Sequence, residues 1–161
     1  MGKRCLTKSE PKASPGTILA LAVRLGKSLL AIPIAAVEEV LPALPIEPVP
    51  QCPDFLRGVV FVRGHLIPVL DAAERLGMKD HQRPPEPYIV CLRIGDRLVG
   101  VEFDEALDLI ELHDVDSLSA ADLGSRRGFF AGVFEQDGEV IRLLAPDGLL
   151  EQQEAEKLSH L

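Results

Sequence analysis

Two stretches of this chain repeat each other in strict register, and the repeat limits the available folds more than any other feature. Gly58-Val-Val-Phe-Val-Arg-Gly-His-Leu-Ile-Pro-Val-Leu-Asp71 lies over Gly132-Val-Phe-Glu-Gln-Asp-Gly-Glu-Val-Ile-Arg-Leu-Leu-Ala145 at a constant offset of 74 residues. Gly58 falls on Gly132, Gly64 on Gly138, Ile67 on Ile141 and, beyond the strand, Leu76 on Leu150. An upstream pair matches at an offset of 69, with Gly26 on Gly95, Leu29 on Leu98, Ile32 on Val101, and Val40-Leu41 on Leu109-Ile110. The difference fits a longer loop in the second copy, near Asp114 to Arg127. Apolar strands align by chance more readily than glycines do, so the chain reads as two copies of one module.

Each copy carries the same punctuation. Apolar strands over Ile18 to Leu25 and Tyr88 to Ile94 turn at a Gly-plus-polar pair and return over Leu29 to Ile32 and Leu98 to Phe103. In the first copy Pro33 suits the start of a short helix, with Ile34, Val37 and Leu41 on one face and Pro42 ending it. Glu39 lies off that face. Pro45, Pro48, Pro50 and Pro53 keep the following segment extended. A second hairpin is predicted from Gly58 to Val62 and Leu66 to Leu70, turning at Arg63-Gly64-His65. Asp71 with Glu74 then caps a short helix that Gly77 ends. Met78 to Pro87 is a polar, Pro-rich connector, so the linker between two barrel subdomains is placed at about 78–87. Residues 1–16 read as a flexible tail, 17–150 as the folded domain, and 151–161 as a short helix or tail with Leu158 and Leu161 facing the body. Short, closely spaced strands punctuated by Gly and Pro indicate an all-β fold with short helices, as two small barrels packed side by side.

Composition removes several functions. Lys and Arg number 17 against 25 Asp and Glu, a formal charge of −8, and aromatic residues make up 4%. A nucleic-acid binder needs phosphate-neutralising charge and stacking surfaces that this chain lacks. No apolar run is long enough to cross a bilayer, so direct membrane insertion is not expected. Cys5, Cys52 and Cys91 form no Cys-x-x-Cys pair, and reduced thiols in a cytoplasmic protein are the plain reading.

Nor do the residues converge on chemistry. His65, His81, His113 and His160 fall in a turn, a connector, a loop and the tail, without the spacing of a metal site. No nucleophile elbow or phosphate loop occurs. Cys52 is a nucleophile only if His65 folds beside it, and a packing role is the simpler account. Asp104 and Glu105 suit solvated or capping roles. Neither a catalytic residue, a cofactor nor a metal is expected. The feature left over is the hairpin tip. The second copy has Asp137-Gly138, a favoured tight-turn dipeptide, where the first has Arg63-Gly64. An arginine there is either an indifferent exposed charge or an interface anchor presenting its planar fork on a rigid turn, with Arg57 extending the basic spot.

The ordered series of motifs resembles the CheW family of chemotaxis coupling proteins. Gly58 through Asp71, with Arg63-Gly64 at its centre, looks like that family's signature hairpin. Ile32-Pro33-Ile34, Val37-Glu38-Glu39-Val40, Val99-Gly100-Val101-Glu102-Phe103-Asp104 and Leu143-Leu144-Ala145-Pro146-Asp147-Gly148-Leu149-Leu150 continue the match across about Thr17 to Leu150. The resemblance implies two five-stranded SH3-like β-barrels, no catalysis and no cofactor. It implies two partners: the regulatory domain of a CheA-type histidine kinase, met end to end by one barrel, and the cytoplasmic tip of a chemoreceptor, held in an apolar groove around the join. Carried over by position, Arg63, Gly64, Val37, Glu38 and Glu39 lead as interaction residues, followed by Arg57, Gly58, Gly100 and Val101. From the residues alone, Gly58 and Gly100 equally suit strand positions built around a bulge, and Val37, sharing a face with Ile34 and Leu41, suits a core better than a surface. The sequence departs from the family where Ala72-Ala73 follow Asp71 in place of Leu-Arg, and where Ala145 stands for an Asp. A reading from another class is a small-molecule sensor with its ligand between the barrels.

Overall fold

A computed structural model describes residues 16–118 and 128–158. Most of the tail, the body of the loop after Asp114, and Leu161 lie outside the described residues. Ten strands form two five-stranded sheets. In chain order they are β1 (Thr17–Leu25), β2 (Ser28–Pro33), β3 (Val37–Leu41), β4 (Leu56–Val62), β5 (His65–Asp71), β6 (Tyr88–Ile94), β7 (Arg97–Phe103), β8 (Glu105–His113), β9 (Phe130–Gln136) and β10 (Glu139–Leu144). One sheet runs β8-β1-β2-β10-β9 and the other β3-β6-β7-β5-β4. Pairing is antiparallel throughout except β2 with β10 and β5 with β7. The outer strands of each sheet are drawn together by local contacts. Glu47 bridges to Val59 in the second sheet, and Ser117 bridges to Phe134 in the first.

Strand pairings reproduce both offsets of the repeat. Val69 lies beside Gly100 as Leu143 lies beside Ala31, and Val40 beside Val90 as Leu109 beside Leu21. The Asp71 amide donates to the Phe55 carbonyl at 2.7 Å, and the equivalent Ala145 amide donates to Phe129 at 2.8 Å. The copies are interleaved, however. β1 and β2 of the first copy join β8 to β10 of the second, while β3 to β5 join β6 and β7. The connector therefore joins the copies but does not divide the two sheets into successive halves of the chain.

This exchange explains why the strands are apolar on both faces. Along β1 and β2 the residues alternate between Leu21, Val23, Leu25, Leu30 and Ile32 on one side and Ala20 and Ala31 on the other. The first set meets Val90, Leu92, Ile94, Val99, Val101 and Phe103 of the other sheet in a shared central core. The second set fills the interior of its own barrel, as Val60, Ile67, Val69, Ile89 and Cys91 fill the other. Strands covered on both sides read as nearly continuous hydrophobic runs.

The helix expected after Pro33 is a correction. Ile34–Ala36 makes only a short 3-10 turn, and Val37–Leu41 is strand β3, antiparallel to β6. Ile34, Val37 and Leu41 fit helical spacing, and Val-Glu-Glu-Val-Leu has no period-two alternation of its own, so pairing with the edge of β6 is what makes it a strand. Glu39 consequently shares the barrel-facing side with Leu41 and is half-buried, while a bulge between Val37 and Glu39 turns Val37 towards the central core. The capped helix is present as α1 (Ala72–Arg75), where the Glu74 amide donates to Asp71 Oδ1 at 3.2 Å. The terminal helix is α2 (Gln152–Leu158), which docks on the body through buried Leu158.

Candidate functional site

The β4–β5 hairpin projects its tip into solvent. Arg63 and Gly64 have φ of 47° and 83°, matching Asp137 and Gly138 at 51° and 82° in the β9–β10 hairpin. An L-residue in this left-handed region costs about 1–2 kcal/mol, less for Asp than for Arg. The Arg63 guanidinium is 65% exposed and donates to both carboxylate oxygens of Glu39 at 2.6 Å. Exposed pairs of this kind contribute at most about 1 kcal/mol. The pair therefore does not outweigh the strained turn. Its effect is to hold the exposed guanidinium against Glu39 through one terminal nitrogen. Glu38, on the opposite face of β3, pairs with Arg93 at 3.2 Å.

Immediately below the tip, Phe61 and Leu66 are cross-strand partners on the outer face of the hairpin. They are 70% and 60% exposed, the two most exposed large apolar residues among those described. Beside them runs a groove of about 490 Å³ whose walls include Leu66, Ile67, Pro68 and Leu98, with Leu158 among its lining. Sequence reasoning passed over Phe61 and Leu66 because the hairpin was read for its turn and its inward face. The signal was present in the alternation Val60, Phe61, Val62, which turns Phe61 away from the barrel.

A second apolar surface borders the join. Val40 lies beside core residue Val90, and Leu109 beside core residue Leu21, so the outer strands β3 and β8 extend the central core beyond its cover. Val40, Leu109 and Tyr88 are exposed there, and Leu107 is exposed at the bulge of β8. β8 approaches β6 across the join, and Tyr88 and Glu105 line one cleft there with Arg24, Pro84 and Pro85. Glu111 is exposed on the same face of β8 as Leu109, whereas a bulge opposite Ala22 puts Glu105 on the other face. The join itself is closed. The void lined by Leu70, Ala72, Val101, Phe103, Leu144 and Leu149 has room for about 10 Å³. That is at most one water molecule, so this interior void cannot hold the metabolite of the alternative, sensing reading.

The remaining candidates sit elsewhere. Arg57 is at the far end of β4 from Arg63, roughly 20 Å away along the strand. It does not extend the basic spot at the tip. Its Nε donates to Glu102 Oε1 at 3.0 Å, an oxygen that also accepts from Arg83 of the connector at 3.2 Å. Arg83 further pairs with Asp71, placing a guanidinium on the carboxylate that Ala72-Ala73 follow. Gly58, Gly100 and Val101 are buried and offer no surface to a partner. At Gly58, φ is 147° and a Cβ would lie 2.2 Å from the Glu47 carbonyl oxygen. At Gly100 a Cβ would lie 2.9 Å from Ile89 inside the barrel, and Val101 belongs to the central core. Val37 is half-buried against that core. Asp104 accepts from the Gly26 amide and pairs with His81, both at 2.8 Å, the capping role expected of it. Cys52 donates weakly to the Leu56 carbonyl at 3.8 Å. Burial pushes the Cys91 thiol up to about 11, with Glu39 and Glu38 adding to the rise and Arg63 opposing it, so this sulfur stays protonated. Among the described residues no group of three His, Cys, Asp or Glu gathers at metal-binding distance, and no helix is long and apolar enough to cross a membrane.

Comparison with known proteins agrees with this geometry. A family model described as "CheW-like domain" matches residues 19–154. The chain belongs to the CheW-like family. Among its CheW-like relatives, the chemotaxis protein CheW of Rhizobium meliloti is 30% identical over 138 residues, 84% of this chain and 89% of that protein. Protein FrzA of Myxococcus xanthus is 33% identical over 95 residues, 59% of each chain. The crystal structure of scaffolding protein TtCheW from Thermoanaerobacter tengcongensis has the same fold, with a TM-score of 0.77 at 22% identity, covering 85% of this chain and 94% of that one.

Proposed function

We propose that this CheW-like protein is a non-catalytic adaptor of chemotaxis-like signal transduction, coupling the cytoplasmic tips of chemoreceptors to the regulatory domain of a CheA-type histidine kinase. It works in the cytoplasm, where those partners are exposed. The observation that carries this reading is the presence of two separate apolar surfaces with different polar surroundings. The hairpin end presents Phe61 and Leu66 beneath an oriented Arg63, an arrangement suited to docking against the end of another barrel. The margin of the join presents exposed Val40 and Tyr88 on one sheet and Leu109 on the other, apolar side chains suited to a helical partner. Gly64 leaves the tip open, with no other atom within 4 Å of where its Cβ would be.

Arg63→Asp is the direct test. Aspartate suits the left-handed turn, as Asp137 does in the other hairpin, so the fold is retained while the charge is reversed. Titration calorimetry is expected to show loss of kinase-domain binding by at least about tenfold, the scale of an interface anchor, with binding of a receptor fragment preserved. Unchanged affinity for the kinase domain would remove Arg63 as the anchor.

A further inference from the structure

The terminal helix α2 is seated by two contacts of different kinds. Arg75 of α1 is stacked between two rings, 4.4 Å from the Phe55 centroid and 5.4 Å from that of Phe129. Its Nε donates to the Leu149 carbonyl at 2.8 Å, and its terminal nitrogens donate to the Glu154 carboxylate at 2.6 and 3.1 Å. Four residues after Glu154, on the same side of the helix, Leu158 is buried in the central core and lines the groove beside the hairpin. Gln153, Glu156 and Lys157 are exposed. Seven residues are too few to remain helical alone in water, so α2 persists only while it is seated.

Leu66 belongs both to the exposed pair below Arg63 and to the wall of this groove, which makes the groove continuous with the hairpin surface. We propose that α2 is a releasable strap that shortens the kinase-docking surface, and that its release lengthens the groove and raises affinity for the kinase domain. The proposal rests on the adaptor reading. When only the strap-open state offers the full groove, apparent affinity is lowered by the fraction of molecules that are open. Loosening the strap therefore tightens binding by the same factor by which it raises opening.

The test is Glu154→Ala in the full-length protein, since Glu154 lines neither the groove nor the hairpin surface. Hydrogen exchange of peptides spanning residues 150–158 is expected to accelerate about tenfold, the effect of losing a charge-assisted bidentate bond. Calorimetry with the kinase regulatory domain is expected to show affinity increased by up to the same factor. Faster exchange with unchanged or weaker affinity overturns the proposal, as does unchanged exchange. Absence of wild-type binding defeats the adaptor reading and the docking half of this proposal, while the exchange rates still judge the strap.

Discussion

At the tip of the β4–β5 hairpin the backbone asks for Asn, Asp or Gly, and the chain supplies Arg63. The pseudo-equivalent Asp137 shows what the fold alone would select. Arg63→Asn is accordingly expected to leave stability to urea unchanged or slightly raised, while weakening kinase-domain binding. The glycines separate in the same way. Gly64→Ala meets no neighbouring atom and carries only the left-handed penalty, about 1 kcal/mol. Gly58→Ala places a methyl 2.2 Å from the Glu47 carbonyl oxygen at a φ of 147°, and is expected to cost about 3 kcal/mol or more in urea unfolding. Cys91 gives a pH test. An unfolded thiol ionises near 9 and the folded one near 11, so its contribution is complete below pH 9 and is lost as pH rises towards 11. The fall in wild-type stability over that range should exceed that of Cys91→Ala, and Cys91 should resist alkylation in the folded protein.

Among the elements, β3 shows where a sequence stops being decisive. Its five residues continue a helical stripe and carry no clean two-residue alternation, and only the partner strand β6 makes them a strand. The consequence reaches the site, because a strand turns Glu39 inward to Arg63 and Glu38 outward to Arg93, whereas a helix would not. By contrast the hairpin turns, the Asp71 cap and the strands β1, β2 and β5 to β7 were legible from Gly placement and apolar runs. What the runs did not disclose was which side of each strand faces its own barrel and which faces the join, since both sides are apolar. The outer strands carry the exception, with exposed Val40 on β3 and Leu107 and Leu109 on β8. Leu109→Asp is expected to abolish binding of a receptor fragment in a pull-down while changing stability by about 0.5 kcal/mol or less, as an exposed substitution should. Retained receptor binding would place that partner elsewhere.

For the whole molecule, the interleaving of copies binds the two barrels into one cooperative unit. Each sheet takes two strands from one copy and three from the other, so neither copy holds a complete barrel. Residues 1–82 expressed alone are expected to be unfolded by circular dichroism, and mixing them with residues 83–161 should restore the strand signal. The intact chain should melt in a single calorimetric transition. The repeat told that two similar units exist; pairing between distant segments lies beyond what residue types specify. The same architecture fixes the hairpin end and the margin of the join on one rigid frame, which is what an adaptor needs if both partners are to be held together. Sedimentation velocity of the wild-type protein mixed with a CheA-type regulatory domain and a receptor signalling fragment tests this claim most directly. A single ternary species is predicted, reduced to a receptor-only complex by Arg63→Asp and to a kinase-only complex by Leu109→Asp; two partners that displace each other from the wild-type protein would contradict it.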